Sequence, residues 1–138
     1  IGGAVGWSNL SDGRLKENIL NNVVGLDFIL NLKPVTYNYN FKAIDPKSQN
    51  NNIRYSGFIA QEVEQTAKKV NYDFSGVDIP KNENDFYSLR YAEFVVPIVK
   101  SIQEQQKTIE ALKLELELQK QKNEALEKRL KAIEEKLK

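Results

Sequence analysis

The chain has 138 residues, with 20 lysines and arginines against 19 acidic residues, and no histidine or cysteine. Cysteine's absence excludes disulfides, a thiolate nucleophile and a thiolate metal site; histidine's absence removes the commonest metal ligand and general base. The net charge of +1 is interspersed, so the chain has no basic tract for nucleic acid and no apolar run that would span a membrane, and no cofactor or metal is expected.

Residues 1–10 are glycine-rich and carry Trp7. They read as the end of an upstream stalk or passenger segment cut from a longer polypeptide. Asp12-Gly13 is a turn signal, and Ser11 or Asp12 is positioned to cap a short helix over Lys16–Leu20. A second short helix is predicted over Leu26–Leu32, ending before Pro34. From Val35 to Phe41 the pattern alternates: Val35, Tyr37, Tyr39 and Phe41 share one face, the signature of a half-buried strand. A polar loop over 43–52 leads to Ile53–Tyr55, which is expected to pair back as a hairpin. After Gly57, helical spacing puts Ile59, Val63, Ala67 and Val70 on one face. Residues 71–85 read as irregular, and Phe86–Tyr91 as a short strand. A helix begins near Ala92, with Pro97 close enough to its start to be tolerated, with or without a kink.

From Ile98 onward the apolar pattern repeats in heptads. One row is Ile102, Ile109, Leu116, Asn123, Leu130 and Leu137; the other is Ile98, Gln105, Leu112, Gln119, Leu126 and Ile133. With Ile102 at position a, Glu115, Lys122 and Arg129 at g face Lys120, Glu127 and Glu134 at e in a parallel, in-register assembly. All three pairings are attractive, and they support the register more than the stability. Asn123 favours dimers, whereas the rest of the pattern leaves dimer and trimer open. The mean hydropathy of −0.53 reflects mostly this polar C-terminal third. The part before it, roughly 90 residues, is small for a solitary domain, so association is expected.

Ser11 and Lys16 stand five positions apart. A serine hydroxyl needs a base to become a nucleophile, and lysine is one of few available here once its amine is neutral. Burial or a nearby cation such as Arg14 would favour that form. By residue type alone, Ser11 reads more readily as a helix cap and Lys16 as a solvated charge.

The wider sequence narrows this. SDGRLKENI (11–19), LKPVTYNY (32–39), GFIAQEVE (57–64) and YAEFVVPIVKSIQEQ (91–105) resemble, in that order, the C-terminal intramolecular chaperone domain of phage endosialidase tailspikes and tail fibres. The resemblance implies an α+β head with short helices and a β-hairpin, followed by a helix forming a parallel trimeric coiled coil. Its domains would be 1–10 upstream segment, 11–92 auto-processing head and 93–138 coiled-coil helix. It implies a homotrimer that guides folding of an upstream β-rich fibre segment of the same polypeptide. That role belongs to a phage tail fibre or a bacterial surface fibre. It further implies self-cleavage at Leu10–Ser11, with Ser11 as nucleophile and Lys16 as base. Asp12 matches the motif as a cap, a turn residue or a catalytic group. Two rival readings stand beside it. One is a non-cleaving trimerisation module of the same fold. The other is a coiled-coil adaptor that binds a partner through the face of Val35, Tyr37, Tyr39 and Phe41, which is otherwise expected to be core.

Overall fold

The computed structural model describes residues 9–138. The expected upstream segment over 1–10 lies mostly outside the described residues. The fold is α+β: a small head followed by one long helix.

Three helices frame the head: α1 (Leu26–Ile29), α2 (Ala60–Lys69) and α3 (Val95–Leu137). Two small antiparallel sheets lie between them. Strand β1 (Val35–Tyr37) pairs with β2 (Tyr55–Gly57), with Tyr37 opposite Tyr55. Strand β3 (Val77–Asp78) pairs with β4 (Ser88–Leu89).

The core is small and aromatic. Phe28, Val63, Ala67 and Phe94 are buried, and Val24, Phe58, Val70, Tyr72, Phe74 and Leu89 pack around them. Phe28 is fully buried, and its ring centroid lies 4.8 Å from Phe74 and 5.2 Å edge-on from Tyr72. Phe74 in turn meets Phe94 edge-on at 4.8 Å. These offset and edge-to-face contacts add to simple area burial.

Helix α2 forms as its spacing dictates. Val63 and Ala67 face the core, Glu62 lies in the first turn and Lys68 and Lys69 in the last, each matched to the helix dipole. Its end is a Schellman turn. Asn71 takes a left-handed φ of 51°; the Asn71 N–H donates to the Lys68 carbonyl, and the Tyr72 N–H donates to that of Ala67. Tyr72 is thereby turned back onto Phe28.

Several sequence expectations need correction. Lys16–Leu20 is not helical: Asp12 instead caps a single 3-10 turn at Gly13–Leu15, and Asn18 then takes a φ of 51°. That left-handed residue is incompatible with a continuing helix. The first strand stops at Tyr37 rather than running to Phe41. The Asn38 side chain donates to the Ile53 carbonyl, and Phe41–Ala43 forms a 3-10 turn. The returning strand is Tyr55–Gly57, two residues later than expected. Ile59 is the N-cap of α2 and exposed, so it does not join Val63 and Ala67. Val35, Tyr37, Tyr39 and Phe41 lie outside the core cluster; Tyr39 instead packs against Tyr37 and Phe41, and Tyr37 and Tyr39 both meet Tyr55. Strand β3, within the stretch read as irregular, pairs with β4.

Helix α3 continues unbroken through Pro97, which sits in its first turn where a missing N–H costs nothing. Pro97 and Ser101 are its buried residues, and the Ser101 hydroxyl donates to the Pro97 carbonyl at 2.8 Å. At 43 residues the helix runs roughly 64 Å. Only its first turns touch the head, and both heptad rows are exposed along the remainder.

The head is fastened to α3 through Gly25 and α1. The Leu26 N–H donates to a Glu104 carboxylate oxygen at 2.8 Å. Gly25 is buried against α3 so closely that a Cβ would lie 2.8 Å from the Ser101 backbone nitrogen and 2.6 Å from the Glu104 carboxylate. Only glycine permits that approach.

Candidate active site

The site is built from one turn. The Leu15 N–H donates to the Asp12 carbonyl at 3.0 Å and the Lys16 N–H to the Gly13 carbonyl at 3.2 Å. Asp12 and Lys16 both flank this turn in extended conformation, with ψ of 131° and 126°. The chain therefore enters straight, reverses over three residues and leaves straight. Ser11 and Lys16 end up side by side, and Lys16 Nζ donates to Ser11 Oγ at 2.8 Å.

Asp12 closes the turn. Its Oδ1 accepts from the Arg14 N–H at 2.9 Å. The Arg14 guanidinium folds back onto the same carboxylate, with Nε 3.1 Å from Oδ1 and an Nη 2.7 Å from Oδ2. The guanidinium's hydrogen bonds hold the Asp12 carboxyl below its ordinary value, and the carboxylate in turn raises Arg14. Asp12 thus has the capping role that the sequence left open. Arg14 pairs with Asp12 instead of standing as an unpaired cation near Lys16.

The whole segment from Asn9 to Asn22 is exposed, and the Leu10 side chain is 90% accessible. Among the described residues, Lys16 Nζ has no polar partner except Ser11 Oγ. The bond preceding Ser11 is therefore open, and a hydroxyl already lies against an amine beside it. This arrangement fits acyl transfer. Among the described residues no cluster of acids could hold a metal ion, and no helix is long and apolar enough to cross a membrane.

Residues 11–72 match the family Peptidase_S74, chaperone of endosialidase. The match begins at Ser11 and ends at Tyr72, the residue that completes the α2 Schellman turn. It supports an intramolecular chaperone domain in the head, and the family's name suggests a peptidase-type, self-cleaving domain. No curated protein and no solved structure matched the chain.

The Asp12–Arg14 clamp was not anticipated from the sequence. Its signal was an acidic residue two positions before an arginine, inside a turn already marked by Asp-Gly.

Proposed function

We propose that this chain is an intramolecular chaperone that trimerises, guides folding of an upstream β-rich fibre segment and then releases itself by cleaving Leu10–Ser11. The observation that carries the reading is the 2.8 Å contact between Lys16 Nζ and Ser11 Oγ, at the first residues of the family match.

The chemistry runs in two steps. Neutral Lys16 takes the Ser11 hydroxyl proton while Oγ bonds to the Leu10 carbonyl carbon. The C–N bond of that peptide breaks, and the Ser11 nitrogen receives the proton from Lys16. Leu10 is then held as an ester on Ser11. Water hydrolyses the ester, leaving a Leu10 carboxylate and regenerating the Ser11 hydroxyl. The contact seen here, amine donating to hydroxyl, is the resting form; loss of one amine proton lets Oγ–H donate instead.

Trimerisation rests on α3. Its exposed isoleucine and leucine rows form a seam too long for the head to cover, and water-exposed apolar surface of that extent favours association. Leu20, Val23, Val96 and Val99 line a groove beside the first turns of α3, which enlarges the apolar face near the head. Joining the chains downstream raises the effective concentration of three upstream segments, whose intertwined contacts are otherwise slow to form. Cleavage afterwards removes the assembly aid and makes the product irreversible.

The exposure of the pair favours one second reading, a trimerisation module of the same fold that does not cleave. Mass spectrometry separates the two. Wild-type protein is expected to lose the residues preceding Ser11, and Ser11→Ala to remain whole. Identical intact masses for both proteins would leave only the non-cleaving module.

A further inference from the structure

We propose that Asp12 and Arg14 are a matched pair of positioning residues, holding the turn that seats Lys16 against Ser11 while cancelling each other's charge within four residues of the lysine. This inference rests on the self-cleavage reading above and extends it from two residues to four.

The spacing poses a geometric problem. In an α-helix, residues five apart point about 140° away from one another. In a fully extended chain they stand roughly 17 Å apart. Neither conformation brings a serine to the lysine five positions on. The chain solves this with a 3-10 turn between two extended residues. A turn of this length is worth little alone and frays in water. Its two backbone hydrogen bonds are reinforced from one carboxylate. Asp12 accepts from the Arg14 backbone and from the Arg14 guanidinium together, so the side chain at the start of the turn grips both halves of a residue inside it. No residue outside this segment bonds to the turn among the described residues. The clamp is the turn's own support.

Charge gives the pair a second purpose. The ionisable neighbours of Lys16 within the segment are Asp12, Arg14 and Glu17, and no charged group of another element bonds to it among the described residues. An isolated carboxylate at position 12 would hold the proton on the amine; an isolated guanidinium at position 14 would drive it off. Bound bidentately to one another, they present almost no net charge. Turn closure is thereby separated from the protonation of the base. A lone aspartate would keep only the backbone half of this grip and would hinder the chemistry.

The test follows cleavage by mass spectrometry after refolding the uncleaved chain from denaturant into buffers spanning pH 6–10. Asp12→Asn and Arg14→Gln are each expected to slow cleavage roughly tenfold or more, as loss of reactant alignment does. The pH at which the rate rises is expected to move in opposite directions: upward in Arg14→Gln, where Asp12 is left unpaired, and downward in Asp12→Asn, where Arg14 is. The double variant remains slow, but its pH profile returns to that of wild type. A fold defect slows cleavage without producing opposed shifts that cancel. Wild-type rates in both single variants, or shifts of the same sign, overturn the proposal. A wild-type chain that never cleaves overturns the self-cleavage reading instead. In that event the charge balance is decided on its own by titrating the Lys16 ε-carbon by NMR in the Ser11→Ala background. The same opposed shifts support the balance, and three superimposable titrations overturn it.

Discussion

A methyl group is enough to test how closely the head sits on α3. At Gly25 an added Cβ would press on the Ser101 backbone and the Glu104 carboxylate, so Gly25→Ala is expected to destabilise the protein by about 1–3 kcal/mol, the usual cost of overpacking. Urea denaturation followed by circular dichroism reads the change, and an unaltered midpoint would contradict the packing described. Gly57 is constrained differently: its Cβ position is occupied by the Tyr91 hydroxyl, which accepts from the Phe58 N–H at 3.0 Å. Tyr91 thus joins the end of β2 to the start of the α3 region. Residues of this kind are hard to read from one sequence, because a glycine needed for close approach looks like a glycine needed for a turn. The meeting of Ser11 and Lys16 was legible, since a chain without histidine or cysteine offers few other candidate pairs. The pairing of Arg14 with Asp12 was not legible, because adjacency in sequence does not reveal which charge a guanidinium will meet.

Elements are held by a few cross-links whose strength depends on pH. In α2, Glu64 is hydrogen-bonded by Lys68 and by the Tyr87 hydroxyl, the latter at 2.9 Å. These contacts, Lys68 first, lower the Glu64 carboxyl below its ordinary 4.5. A depressed carboxyl stabilises the fold at pH values above that ordinary value, and the contribution disappears as pH falls through the folded-state value. Stability is therefore expected to decline below about pH 4.5, and Glu64→Gln to show a shallower decline over the same range. Parallel urea midpoints of the two proteins from pH 6 to pH 3 check this; superimposable slopes would remove Glu64 from the account. The core makes a larger demand. Phe28 touches Tyr72, Phe74 and Phe94, and Phe28→Ala is expected to cost about 3–5 kcal/mol, enough to unfold so small a head while α3 retains helical signal. Helices α2 and α3 were legible from periodicity, as was the antiparallel pairing of the β1 region with a later segment. The strand lengths were not. Tyr37, Tyr39 and Phe41 alternate perfectly, yet asparagine side chains at 38, 40 and 50 bond across the loop and draw the backbone out of the ladder. Phe28 escaped notice because a four-residue helix is too short to display a period.

At the scale of the whole molecule, the dominant feature is the apolar surface that the head leaves exposed along α3. Leu112, Leu116 and Leu126 lie at heptad positions and are exposed along α3, so Leu116→Glu would place three like charges at one level of the trimeric seam proposed above. Sedimentation equilibrium is expected to show a trimer for wild type and a smaller species for this variant; a wild-type monomer would contradict the association proposed here. The aromatic hairpin shows the same division at smaller scale. Its tyrosines pack on one another rather than into the core, and the hydrogen bond to Tyr39 helps push Tyr37 up to about 12. Periodicity pointed to the long helix, whereas the hydrogen bond from Leu26 to Glu104 spans 78 positions and had no local signature. That span orders events on the ribosome. Ser11 and its turn emerge first, but α1 cannot be anchored until Glu104 has been made, roughly 4–16 s of synthesis after Leu26. The most local structure in the chain is thus made well before the α1 anchor that follows it can close. Any upstream segment spends that interval attached to a head that is not yet closed.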